Sequence, residues 1–385
     1  MVVALLLGAA QLLLAAIAGP AAALTTAVPH LRYFSFYSHG DRPEVLSAQR
    51  GIVNVRLGHD AHYDPDRSWW TRTAGGGLDT NFTDVVAGYR QFGMSSFLDV
   101  EGLVWNRSLY PAVPAFPTSD YKGMVRAVVS AASPLLKSGA VRGLFLGDEL
   151  SCTGTTPEDL AAVAGTCRAQ LQTAGHAEAE VYINECPRAF IGAGEWGGQP
   201  WPGWTKGMIP EGLTLVSLDS YALANVTNKS TGTVTPWWQA EVETVRELYQ
   251  LAFRGRLHPH QRLLAVPGLY GNDSATAAEH AVHDQQLVKK IELYWDWIQN
   301  DTAVVGLCPY HWQDTPNPPR PGSGPVQCYH PNKLPGNCGH VGELFGLGAK
   351  HYPALIAKMR EMGKAFPPMS ATAKLAAGLR AKQIL

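Results

Sequence analysis

Eight short apolar segments, each closing on polar residues, constrain the fold of this chain more than any other feature. They are LRYFSFY from Leu31, GIVNVRL from Gly51, SSFLDVE from Ser95, GLFLGDE from Gly143, VYINE from Val181, TLVSLDSY from Thr214, LLAVPGLY from Leu263 and AVVGLCPYHW from Ala303. Segments that are β-branched, aromatic or leucine-rich on both faces suit strands buried on both sides, and their alternation with helical stretches reads as repeated βα units. Eight such units predict an α/β fold, a closed (β/α)8 TIM barrel, as a single domain with long loops at its C-terminal face. In that fold chemistry sits on the loops after the strands. The polar residues closing the segments are therefore the candidate site: Arg56, Asp99, Glu101, Asp148, Glu149, Asn184, Glu185, Asp219, Tyr221, Tyr310, His311 and Trp312.

Helices are predicted where the barrel needs them, at Asp79 to Phe92, Ser119 to Lys137, Thr156 to Thr173, Thr235 to Phe253, Thr276 to Gln299 and Val341 to Met362, from apolar spacing near three and four. Thr156, followed by Pro157, Glu158 and Asp159, is a strong helix start: its hydroxyl accepts from free amides, Pro needs no donor there, and the acids oppose the helix dipole. Only Ser38 to Arg50 separates the first two strands, which predicts an irregular first unit. Pro187 to Pro210 and Trp312 to Cys338 are rich in Pro and Gly and read as long functional loops, the former leaving little room for a helix after the fifth strand.

Residues 1–23 are uncharged and apolar, with small residues at Ala21 and Ala23, and read as a secretory signal; an uncleaved anchor is the other reading. Residues 24–366 are then the barrel and 367–385 a tail. Asn81, Asn106, Asn225, Asn228, Asn272 and Asn300 all lie in glycosylation sequons, six of eleven asparagines, which fits a secreted or lumenal protein. The net charge of −1 gives no electrostatic reason to expect nucleic acid or an anionic membrane as partner. Six cysteines in an oxidising compartment predict disulfides, with Cys328 and Cys338 the best local pair and Cys152 with Cys186 a second.

Cleaving a glycosidic bond needs one carboxyl group that donates a proton to the leaving oxygen and a second group that attacks or stabilises the developing cation. Glu149 is the first choice for acid/base, with Gly147 clearing space for substrate and burial beside Asp148 raising its pKa. Asp219 or Glu185 is the second carboxylate, Asn184 a partner for a sugar hydroxyl, and Trp312, Tyr310, Tyr221 and the loop tryptophans are candidate stacking platforms. A helix cap or rim salt-bridge role is the lesser reading of Asp148 and Glu149, and a structural role the readier one for Asp99 and Glu101. His59, Asp60, His62 and Asp64 after the second strand, with His311, allow a competing reading as a metal-dependent hydrolase, although their spacing matches no zinc motif. His258 and His260 precede the seventh strand and read as structural. The chain has no GxSxG elbow, no GxGxxG after a strand and no P-loop, so no cofactor is expected.

With Arg56 after the second strand, Glu149 after the fourth, Tyr221 after the sixth and Trp312 after the eighth, the pattern resembles the (β/α)8 glycoside hydrolases, particularly the clan whose acid/base closes the fourth strand in an Asn-Glu pair. This chain has Asp148 in place of that Asn, and its seventh strand ends in Pro267 and Gly268 where the clan places a nucleophilic Glu. It also resembles the chitinase-like barrels, which pair a fourth-strand Glu with an Asp and Tyr near the sixth strand and a Trp on the eighth, and use the substrate's acetamido group as nucleophile. Glu149, Asp219, Tyr221 and Trp312 suit that scheme, while the aspartates expected before the glutamate are missing. The resemblance implies a glycosidase acting on carbohydrate. The alternative is a carbohydrate-binding barrel without catalysis.

Overall fold

The computed structural model describes residues 28–37, 43–57, 70–72, 78–80, 82–106, 115–151, 154–186, 190, 209–221, 225–228, 230–269, 271–272, 277–310, 344–345 and 352–367. Eight parallel strands form one sheet: β1 (Tyr33–Phe34), β2 (Val55–Arg56), β3 (Ser95–Asp99), β4 (Val141–Asp148), β5 (Glu180–Glu185), β6 (Leu215–Leu218), β7 (Arg262–Ala265) and β8 (Val304–Leu307). Their spatial order runs β1-β8-β7-β6-β5-β4-β3-β2, with β8 paired to β1 through Tyr33 and Gly306. The seam between β1 and β2 is closed by Asn54. Its amide donates to the Phe34 carbonyl (3.0 Å), its Oδ1 accepts from the Phe34 amide (2.8 Å), and its Nδ2 donates to the carbonyls of Arg32 (2.7 Å) and Pro367 (3.0 Å). The fold is thus the expected (β/α)8 barrel, irregular at its first unit.

The helices are α1 (Pro43–Gln49), α2 (Phe82–Gln91), the single turn α3 (Glu101–Val104), α4 (Tyr121–Ser138), α5 (Pro157–Thr173), α6 (Trp237–Phe253), α7 (Ala277–Asn300) and α8 (Pro353–Gly363). Thr156 caps α5 as its sequence requires, accepting from the Asp159 amide at 3.1 Å. Two predicted helices begin too early. Asp79 lies on a short strand, Leu78–Thr80, antiparallel to Trp70–Arg72, and Leu344–Phe345 pairs with Gly271–Asn272, so the eighth helix starts only at Pro353. Glu101 opens α3 instead of ending β3. Among the described residues no helix is long and apolar enough to cross a membrane.

Strand periodicity divides the core into two. Tyr33, Val55, Phe97, Phe145, Tyr182, Leu215, Leu264 and Val305 fill the barrel interior, whereas Leu98, Leu144, Val181, Ile183, Val216 and Leu218 face the helices. Burying such a side chain is worth about 1.5–3 kcal/mol, and the interior rings interlock: Tyr182 lies 5.1 Å from Phe145 and 5.6 Å from Phe97, centroid to centroid. Gly143 is required where β4 passes β5, because a Cβ there would run into the backbone of Glu180. His260, bonded to the Glu211 carbonyl at 2.9 Å, and His258 stacked beside it lie before β7, in the structural position expected of them.

Candidate active site

The site is built by a bulge. Phe145 pairs with Tyr182, but the next partners are Asp148 and Asn184, so β4 carries one residue more than β5 over this stretch. Gly147 takes φ +148° and Glu149 φ +50°, a left-handed conformation rare for a residue with a side chain. The Glu149 amide donates to the Asn184 carbonyl (2.9 Å), which holds the distorted end of β4 against β5. Backbone strain of this kind gathers at functional sites. Glu149 is exposed and Asp148 half-buried, so the burial expected at Glu149 is absent there. Nor does Gly147 leave room for substrate: the space beside it is taken by the Glu101 and Leu150 side chains, each about 3.1 Å from where a Cβ would sit.

Asp148 anchors a polar line that runs down into the barrel. Its Oδ1 accepts from Asn184 Nδ2 (2.7 Å); Asn184 Oδ1 accepts from Ser217 Oγ (2.5 Å); Ser217 meets Tyr182 Oη (2.9 Å), which meets Tyr37 Oη (3.4 Å). Burial pushes both tyrosines well above the usual phenol range, so they stay neutral. Asn184 is therefore occupied by Asp148 and Ser217.

Asp219 follows β6 with the same inward parity as Leu215 and Ser217, pairing as a bridge with Val266. Its Oδ2 accepts from Tyr221 Oη (3.1 Å), whereas Oδ1 is shielded from water and has no hydrogen-bond partner. Burial first, then the negative charges of Glu149 and Asp148, push this carboxyl well above the ordinary range, against a lowering pull from Tyr221. The Tyr221 ring stacks on Tyr310 at 5.5 Å and 24°, and Tyr310 meets Tyr37 edge-on at 6.2 Å.

Glu185 has the opposite parity. It follows Ile183 on the helix-facing side of β5, is fully buried, and its carboxyl is enclosed by Ser151, whose amide reaches both oxygens (3.1 and 3.3 Å) and whose hydroxyl donates a very short bond to Oε2. Burial pushes its pKa up to about 8 despite these bonds, with Glu149 and Asp148 adding to the rise. Asp99 and Glu101 are also buried, Asp99 Oδ1 accepting from the Glu101 amide at 2.8 Å. Arg56 is buried near Cys308, where its charge partly offsets the rise that burial imposes on the thiol. The structure thus brings Asp148, Glu149, Asn184, Asp219, Tyr221 and Tyr310 to one rim and sets Glu185 behind it. His311, Trp312, His59, Asp60, His62 and Asp64 lie outside the described residues, as do the loop tryptophans Trp69, Trp196, Trp201 and Trp204. Sequence reading missed Ser151, Ser217 and Tyr182; the last two share the inward parity of Asp219 and Asn184, which is the signal that would have found them.

Among the described residues no group of three or more His, Cys, Asp or Glu is arranged to hold a metal. The even cysteine count does not translate into three disulfides: Cys167 and Cys308 are free and buried, and Cys186 is disulfide-bonded. Burial raises the Cys167 thiol to about 12, and neither thiol is poised as a nucleophile.

No known protein family matches the sequence, and no curated protein matches it. Solved structures do. An endo-laminarinase from Formosa Hel1_33_131 is similar at 10% identity over 74% of this chain and 79% of that one, with a TM-score of 0.50. A beta-glucuronidase from Faecalibacterium prausnitzii is similar at 12% identity over 88% of this chain, TM-score 0.48; the chain spans 49% of that protein's length. A glycoside hydrolase family 5 enzyme from Prevotella bryantii B14 matches at 12% identity over 75% and 90%, TM-score 0.45. The laminarinase likeness agrees with the strand order in defining the fold as a (β/α)8 barrel.

Proposed function

We propose that this chain is a glycoside hydrolase that cleaves O-glycosidic bonds of a carbohydrate held at the C-terminal rim, with Glu149 as general acid/base and Asp219 as the second carboxyl group. The observation that carries this reading is that Asp148 and Glu149, closing β4, and Asp219, following β6 on the other side of β5, meet at one rim, where burial and then the two neighbouring charges push the Asp219 carboxyl well above the ordinary range. Groups coupled in this way share their protons, and the titration belongs to the set. A sugar seated over exposed Glu149 displaces its water and raises the cost of its charge, so the retained proton moves toward Glu149 and onward to the leaving oxygen. Asp219, then ionised and oriented by Tyr221, stabilises the positive centre or holds a substrate group that attacks it. Glu185 is a poor second carboxylate because Ser151 encloses it; it acts as a brace beneath the Glu149 loop. The stacked Tyr221 and Tyr310 offer apolar surface for a pyranose face. The uncharged apolar N-terminus and six sequons fit a secreted or lumenal glycoprotein.

Product release from a panel of polysaccharides and aryl glycosides, comparing wild type with Glu149→Gln and Asp219→Asn, tests the assignment. Each variant is expected to lose about 100-fold or more in kcat with folding intact. Undiminished turnover in Glu149→Gln overturns it. Because β7 closes in Pro267 and Gly268 with no acid, a non-catalytic carbohydrate-binding barrel is the second reading; saturable glycan binding by a wild type that releases no product would replace the first.

A further inference from the structure

We infer that the buried Lys290–Glu241 pair, behind the end of β7, is a positioning device for the site: it fixes the backbone that carries Tyr310, and through the tyrosine stack it sets the bond from Tyr221 to Asp219. The inference rests on the reading of Asp219 as part of the catalytic rim.

The pair joins α6 to α7 and is sealed from water, with side chains 1% and 2% exposed. Lys290 Nζ donates to Glu241 Oε2 (2.5 Å) and to the Gly268 carbonyl (2.5 Å), and the Gly268 amide donates to Glu241 Oε1 (3.1 Å). Both backbone polar groups of Gly268 are thus held by charged partners. Tyr294 Oη adds a longer bond to Glu241 (3.4 Å), and the ammonium sits 4.8 Å from the Trp237 ring centroid. Gly268 in turn pairs with Tyr310: the Tyr310 amide donates to the Pro267 carbonyl (2.9 Å) and the Leu269 amide to the Tyr310 carbonyl (2.6 Å). The Tyr310 ring stacks on Tyr221, which donates to Asp219.

A buried ion pair is weak evidence for stability, since desolvation consumes most of its attraction and an apolar pair of similar volume is often as stable. Charge-assisted bonds do, however, fix geometry. Here they fix a strand end that brings no acid of its own. Glu241 is a carboxylate held against that end, yet Lys290 and Gly268 engage both its oxygens, which suits it to orienting the rim and not to attacking a substrate.

The test compares wild type, Lys290→Met/Glu241→Leu, Tyr221→Phe and the triple variant on a glycoside that the wild type cleaves. The double variant is expected to fold, to lose about 10- to 100-fold in kcat, and to keep KM within a few-fold. The triple variant is expected to be little worse than its weaker parent, because both changes break one path. Wild-type kcat in a folded double variant, or fully additive losses, overturns the inference. Should the double variant not fold, Lys290→Met/Glu241→Gln retains an acceptor for the Gly268 amide; the same kcat loss with KM unchanged supports the role, and unchanged kcat overturns it. If wild type cleaves no glycan, the glycosidase reading fails on its own, and a carboxyl carbon NMR titration decides: Asp219 should titrate at higher pH in the charge-deleted variant, as in Tyr221→Phe, and an unmoved Asp219 overturns the inference.

Discussion

Replacing Glu185 with Gln should make the protein less sensitive to alkali, and the size of the effect follows from its surroundings. Gln matches the shape of the protonated acid, and burial keeps Glu185 protonated in the folded state up to about pH 8 against an ordinary value of 4.5. The unfolded chain releases that proton near the ordinary value. The folded state thus binds the extra proton between pH 4.5 and 8, and its stability advantage, complete below that window, is lost as pH rises through it. The loss is about 1.4 kcal/mol for each pH unit and about 5 kcal/mol in all. The amide of the variant has no such proton to lose. Urea denaturation of both proteins from pH 5 to 9, read as a difference so that other titrations cancel, should show the variant gaining on wild type across the window and levelling off above it. A difference that stays flat with pH, or one that shrinks, would show that Glu185 is ionised in the folded protein and that the brace reading is wrong.

Other outcomes follow from single contacts. Tyr221→Phe removes a donor to Asp219 and should move the Asp219 limb of the pH–rate profile to higher pH; a shift to lower pH contradicts the assigned bond. Thr156→Ala should lower stability by about 1 kcal/mol with unchanged kinetics, measured by denaturation and by initial rates. Gly143→Ala forces a methyl into the Glu180 backbone and should cost about 3 kcal/mol or more, read from the unfolding midpoint; a wild-type midpoint would mean that β4 and β5 separate easily.

The barrel was legible in the sequence because strands buried on both faces leave continuous apolar runs, and all eight runs hold a strand of the sheet. The start of α5 was legible because Thr156, Pro157 and Asp159 each satisfy a specific need of a helix end. The bulge was not, since an extra residue in β4 shows only in the pairing of Asp148 with Asn184 and in the backbone of Gly147 and Glu149. The division of labour between Asn184 and Glu185 lay within reach, because Ile183 belongs to the helix-facing set and Glu185 shares its parity. The short ribbons at 78–80 and 344–345 escaped because each is set by a partner strand and not by local spacing. Cys167 escaped too: an apolar helix face accepts a thiol as readily as a small aliphatic group.

The Asn54 seam has a consequence for how the chain is made. A growing polypeptide can lay down seven strand pairings in order, from β2 with β3 through to β8 with β1. The last junction, β1 with β2, is made by the Asn54 backbone and side chain on Phe34, and the same side chain grips Arg32, 22 residues upstream, and Pro367, 313 residues downstream. Phe366 closes over the same spot, its ring 4.9 Å from Phe34. The bonds of Asn54 to Phe34 and Arg32 need only the first strands, whereas the bond to Pro367 and the cover of Phe366 arrive when nearly the whole chain is made, so a nascent protein cut short before residue 366 would carry this seam one bond short and with Phe34 uncovered.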